Sequence, residues 1–202
     1  MAPVVASSGE GSHIALFGYF ALLNLGILTI AWFKAWRELN LVGFVFTFGI
    51  GGLWGADGYL DEHYISTQLF LVLFVLIFTT IPVLYAWRQA PKLRGLVDGT
   101  LVFGTPIVGF GFQSRLVEAF EYGLAFSSIA LAALYVSLAL VLFRLAPGWA
   151  RALVEAFIAL AVGFSTMSVP FALQAEWVTL GWALEGVGLV WIGLRQKRRL
   201  PR

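Results

Sequence analysis

The side chain best placed to do chemistry is Glu185, in the run Trp182-Ala183-Leu184-Glu185-Gly186 near the middle of an apolar stretch. A charge at the centre of a membrane helix costs on the order of 2.5 to 3.5 kcal/mol on insertion scales, so such a residue faces protein and takes a partner or a proton. Two roles suit it: a proton carrier lining a solute path, or a neutral interhelical anchor. Asn24, near the middle of the first apolar run, is its candidate partner, and Asn at such depth commonly holds helices together.

Other polar groups have plainer readings. Glu155 stands four residues after Arg151, a spacing that puts both on one helix face as an ion pair; gating or substrate contact is the functional alternative. Asp98 begins Asp98-Gly99-Thr100 at the head of another run, where a carboxylate caps free N–H groups and meets the positive end of the helix dipole. Gln113 and Ser114, followed by Arg115, Glu118 and Glu121, frame either an outer vestibule or a solvated turn. Asp57, Asp61, Glu62 and His63 offer oxygen and nitrogen, but their spacing matches no Ca²⁺ loop and includes a single imidazole.

Several chemistries are excluded. The chain has no cysteine and two histidines, His13 and His63, which removes disulfides, thiolate metal sites and a Cys nucleophile. It has no His-Glu-x-x-His run for a zinc hydrolase. Ser165 and Ser168 lie in a run far from both histidines, so no serine triad assembles. The last apolar run has no Lys for a Schiff base, and phosphate-loop and dinucleotide fingerprints are absent. The sequence therefore offers no catalytic residue, no cofactor and no metal ligand set.

The elements that must position these groups are membrane helices. Of 202 residues, 60% are hydrophobic and 12% charged, against roughly 25% charged in soluble domains, and the mean hydropathy is +0.87. Spans of roughly 17 to 25 residues cross hydrocarbon. Seven candidates stand between charged segments: Ile14–Phe33, Leu41–Ala56, Ser66–Trp87, Leu96–Gln113, Tyr122–Phe143, Leu153–Leu173 and Trp177–Leu194. The second and fourth are short or polar at their ends. The expected fold is an all-α, polytopic bundle of seven helices over residues 13–195, after a disordered lead at 1–12 and before a basic cytoplasmic tail at 196–202.

Loop charges orient this bundle, because Lys and Arg are retained on the cytoplasmic side. Lys34 and Arg37 follow helix 1, Arg88, Lys92 and Arg94 follow helix 3, Arg144 and Arg151 separate helices 5 and 6, and the rest follow helix 7. Of the 13 basic residues, Arg115 is the exception, among Asp57, Asp61, Glu62, Glu118, Glu121 and Glu176 on the other side. The amino end is thus expected outside and the carboxyl end inside. The same pattern makes the tail Arg195–Arg202 a topological stop rather than a nucleic-acid site. Gly49, Gly51, Gly52 and Gly55 in helix 2, with Gly104, Gly109 and Gly111 in helix 4, nominate those two helices for the bundle interior, where small residues let backbones approach.

The runs Leu96-Val97-Asp98-Gly99-Thr100-Leu101-Val102-Phe103-Gly104-Thr105-Pro106, Gly181-Trp182-Ala183-Leu184-Glu185-Gly186 and Val190-Trp191-Ile192-Gly193-Leu194-Arg195 resemble bacterial predicted membrane proteins of the domain-of-unknown-function 2339 family. Leu39-Asn40-Leu41-Val42-Gly43-Phe44 and Tyr122-Gly123-Leu124-Ala125 extend the likeness over most of the chain. The resemblance implies the bacterial inner membrane, and a segment or short member of a family whose proteins usually carry more helices. It implies no substrate, cofactor or catalytic residue. The expected function is a non-enzymatic scaffold or helix-docking component of the cell envelope, with the lipid bilayer, further transmembrane helices or a second copy as partners. A small-solute or proton-coupled transporter using Glu185 is the alternative, and an enzyme acting on a lipid-linked substrate the third reading.

Overall fold

The computed structural model describes residues 12–33, 36–87, 96–145 and 148–173, together with Ala183, Gly186, Val187 and Val190. Six helices run through the continuous segments, and no strand occurs among the described residues. They are α1 (His13–Phe33), α2 (Arg37–Gly58), α3 (Tyr64–Ala86, entered through a 3₁₀ turn at Asp61–His63), α4 (over 96–116), α5 (Gly123–Leu145) and α6 (Arg151–Ala172, entered through a 3₁₀ turn at Gly148–Ala150). All but α4 are long and apolar enough to cross a membrane. At 1.5 Å per residue, the 21 residues of α1 reach about the 30 Å of a hydrocarbon core. Large apolar side chains on their outer faces, such as Leu22, Leu53, Ile65, Phe126 and Phe143, are about 70% or more exposed, a surface suited to lipid and costly in water.

Helix α2 is longer than its apolar run. It begins at Arg37, not Leu41, and is 22 residues long, because Arg37 and Asn40 find partners on neighbouring helices and need not be left in a loop. Helix α4 is broken: an α-turn at Leu96–Gly99 leads through a π-turn at Thr100–Gly104 into Thr105–Leu116. Pro106 supplies no N–H, and its ring would crowd the carbonyl of Val102 in a regular helix. The wider π-turn ahead of it accommodates both demands.

Of the two glycine-rich helices nominated for the interior, α4 does lie there, burying Leu101, Val102, Thr105, Pro106, Gly109 and Phe110, but neither forms the bundle's centre. Its central post is α3, which contains no glycine: 61% of its most apolar window is buried, against 22 to 33% in the other four spans. Helix α2 buries only Asn40, Phe44, Thr47 and Phe48. On one side of α3, Phe17, Phe20, Phe44, Phe48, Phe74 and Phe78 form an aromatic core with α1, α2 and α4. On the other, Val83 and Ala86 join a second core with Tyr135, Leu142, Leu153, Phe157 and Phe164 of α5 and α6. Helices α5 and α6 make the most extensive pairing, since Ala132, Ala139, Ala156 and Ala161 are buried along it and small side chains bring backbones close.

Contacts between helix ends show strict up-and-down alternation. The starts of α1 and α3 meet through His13 and Ser66. The start of α2 meets the start of α4 through Arg37 and Asp98 and the end of α3 through Asn40 and Tyr85. The end of α4 meets the start of α5 through Gln113 and Ser127. One end of the bundle therefore holds Arg37, Arg144 and Arg151, and the other holds Asp57, Asp61, Glu62, Arg115, Glu118 and Glu121. We call these the basic and acidic ends.

Candidate functional site

Polar side chains on different helices meet in pairs at three levels. At the basic end, Arg37 and Asn40 lie three residues apart on one face of α2. Arg37 Nε donates to Asp98 Oδ1 at 2.9 Å, with the arginine side chain 20% and the aspartate 6% exposed. Asn40 Nδ2 donates to the Tyr85 hydroxyl, both residues buried. One turn of α2 thus clasps α4 and α3 together. Arg37 Nη2 is buried without a partner among the described residues.

At mid-depth, Asn24 of α1 and Thr47 of α2 exchange two hydrogen bonds: Asn24 Nδ2 donates at 2.9 Å and the Thr47 hydroxyl donates back to Oδ1 at 3.2 Å. Both residues are buried. Thr79 and Tyr135 approach within 3.5 Å between α3 and α5.

At the acidic end, His13 Nε2 and Ser66 Oγ are 2.8 Å apart, while Ser66 donates to the His63 carbonyl. That hydroxyl proton being committed, His13 donates through Nε2. The His13 ring lies 4.0 Å from that of His63 and stacks 5.4 Å from Trp54. Between α1, α2, α3 and the end of α4 opens a cavity of about 730 Å³. Gly51, Gly52 and Gly55 line it on the α2 side, aromatic rings such as Phe17, Phe74 and Phe112 form its walls, and Tyr59, Asp61, Arg115 and Glu118 stand at its rim. A Cβ on Gly55 would meet nothing within 4 Å. Gly55 therefore clears space, whereas Gly52 and Gly43 let neighbours in: a Cβ there would stand 3.1 Å from Phe112 of α4 and 2.5 Å from Ile27 of α1. Burial, helped by the Asp61 carboxylate and then Tyr64, pushes the Tyr59 phenol above the usual tyrosine value.

The residues singled out from sequence are scattered by this arrangement. Asn24 pairs with Thr47; Glu185, its candidate partner, lies outside the described residues, as do the tail and most of the seventh run. Asp98 falls in the first turn of α4, close to the dipole's positive end, and holds Arg37 of another helix. Gln113 Nε2 donates to Ser127 Oγ at 3.1 Å and so ties α4 to α5. Glu155 meets Arg151 at 3.3 Å on the exposed face of α6. By contrast Asp61, Arg115 and Glu118, read from sequence as an acidic loop and an outer vestibule or solvated turn, come together at the rim of the acidic-end cavity. Among the described residues, no three His, Asp or Glu side chains stand together as a metal site. Sequence reasoning took Arg37 as a loop cation only and gave no contact to Asn40, Thr47 or Tyr85; the available signal was the i, i+3 spacing of Arg37 and Asn40 at the edge of an apolar run.

Long apolar helices, a lipid-compatible exterior and polar groups clasped inward define a polytopic α-helical membrane protein. The chain belongs to the family described as predicted membrane protein (DUF2339), whose profile matches residues 1–202. No curated protein and no solved structure matches it.

Proposed function

We propose that this chain is a non-enzymatic, multi-pass protein of the bacterial inner membrane that serves as a scaffold or helix-docking component of the cell envelope. The observation that carries this reading is the pairing of its deep polar side chains with one another: Asn24 with Thr47, Asn40 with Tyr85 and Arg37 with Asp98. Such pairs fix helix rotation and register, which a docking surface needs, and leave those groups committed to the bundle. The reading includes a seventh helix over Trp177–Leu194 and an amino end outside. The orientation is supported by the collection of Arg37, Arg144 and Arg151 at one end of the bundle, which the retention of basic residues in the cytoplasm makes the inner end; the seventh helix rests on the apolar run alone. Further transmembrane helices or a second copy are the partners, received on the exposed apolar faces.

Glu185→Gln tests the proposal against proton-coupled transport, because it keeps shape and hydrogen-bonding capacity and removes the titrating proton. A scaffold should insert, melt and retain its cross-linked membrane partners as the parent does, and proteoliposomes should show no pH-driven solute flux that depends on Glu185. A flux that disappears in a well-folded Glu185→Gln protein would overturn the scaffold in favour of transport. Turnover of a lipid-linked substrate by the purified chain would overturn it in favour of an enzyme.

A further inference from the structure

The acidic-end cavity has three properties that no interhelical clasp requires. Its volume of about 730 Å³ falls within the roughly 300 to 1,000 Å³ of small-molecule sites. Its depth is apolar and aromatic, reaching Phe74 and Phe48, while its rim carries charges of both signs in Asp61, Glu118 and Arg115. On its wall, Thr67 Oγ1 is buried without a hydrogen-bond partner among the described residues. A buried hydroxyl left unpaired is costly, and a ligand oxygen would satisfy it.

From these features the geometry points to a binding site for an amphiphile with an acyl tail and a zwitterionic phosphate–ammonium head, the chemistry of phosphatidylethanolamine. The tail lies between the aromatic walls. The phosphate meets Arg115, a cation able to form charge-assisted hydrogen bonds; the ammonium meets Asp61, with the Trp54 and Tyr59 rings nearby as cation-accepting faces. Thr67 is placed for an ester oxygen. Charge complementarity selects this head over the alternatives: Asp57, Asp61, Glu62, Glu118 and Glu121 outnumber Arg115 at this end, which opposes a purely anionic lipid. Arg115 meets Glu118 through one Nη at 3.5 Å in an exposed pair and keeps its other donors for a phosphate, which a neutral diacylglycerol lacks, as it lacks a cation for Asp61. This site is independent of the scaffold reading, since none of the clasping pairs but Thr47 touches the cavity.

The test uses the full chain, delipidated in detergent and titrated with dipalmitoyl phosphatidylethanolamine, dipalmitoyl phosphatidylglycerol or dipalmitoylglycerol, with bound lipid counted by native mass spectrometry. Phosphatidylethanolamine should bind about tenfold more tightly than either of the others. Gly55→Leu, which projects into open space, and Gly51→Val, whose Cβ would sit 3.8 Å from Phe17, should lower that affinity by about tenfold or more while melting is unchanged. Asp61→Asn combined with Arg115→Gln alters only the rim and should abolish the preference while leaving acyl binding. Equal affinity for the three lipids, an undiminished phosphatidylethanolamine affinity in both glycine variants, or a preference that persists in the Asp61→Asn, Arg115→Gln protein would overturn the proposal.

Discussion

The pair Asn24–Thr47 gives the sharpest test of whether deep polar residues hold this bundle together. Both are buried, Asn24 at 1% and Thr47 at 3% exposure, and they exchange two bonds of 2.9 and 3.2 Å. Interhelical hydrogen bonds in membranes average about 0.6 kcal/mol and reach about 1.7, so a reciprocal pair should couple by about 1 to 2 kcal/mol. Asn24→Leu and Thr47→Val each remove one partner with little change of shape. Each strands a polar group in an apolar setting, at about 1 to 3 kcal/mol. In the double variant nothing is stranded, and its stability should lie well above the sum of the single losses. The assay is a double-mutant cycle on the purified chain, unfolded by a denaturing detergent in mixed micelles. Losses that add to within about 0.3 to 0.5 kcal/mol would refute the clasp and return Asn24 to the list of possible ligand-binding groups.

Other substitutions separate the forces at work. Asp98→Asn leaves the Arg37 guanidinium, 20% exposed, without its carboxylate and should cost up to about 3 kcal/mol, the low end for a broken buried pair because the arginine keeps some solvent. The same detergent titration should find Glu155→Gln within roughly 0.5 kcal/mol of the parent, since Arg151 and Glu155 are 84% and 68% exposed and such pairs contribute little. A Cβ on Gly109 would come within 2.6 Å of Val75 Cγ2, and valine is stiff at χ1 in a helix, so Gly109→Ala should lower stability by about 1 to 3 kcal/mol. Gly43→Ala meets the flexible tip of Ile27 at 2.5 Å and should cost clearly less than Gly109→Ala in thermal melts. Gly49→Ala projects into open space and should be neutral or stabilise α2 by up to about 1 kcal/mol.

The contrast among these glycines explains where the sequence was legible. Hydropathy located five of the seven expected spans; the fourth run forms the broken helix α4 instead, and the seventh lies mostly outside the described residues. Hydropathy works here because a helix in hydrocarbon must be apolar along its whole length whichever way it faces. For the same reason it could not tell inside from outside: lipid and protein core favour the same side chains, so α1 buries Phe17 and exposes Leu22 with no amphipathic stripe to mark the difference. Glycine was then taken as the sign of an interior position. Gly109 fits that rule, packed against Val75, but Gly49 and Gly55 face open space, and the helix that occupies the centre, α3, is packed by Phe74, Phe78 and Ile81 instead.

Polar residues follow the same logic. Depth could be read for Asn24, because an unpaired polar group is expensive wherever it sits in the membrane, and Asp98 could be read as sitting at a helix start. Partners could not, because Asn24 and Thr47 are 23 residues apart and Arg37 and Asp98 are 61 apart, and the rotation of each helix decides which face meets which. Arg37 shows how the two readings join. As a loop cation it marked an end of the bundle; as the first residue of α2, paired with Asp98, it also fixes where α2 begins and how α4 is rotated. One side chain can therefore supply both the topological signal and the contact that locks it, and a sequence read one residue at a time recovers only the first.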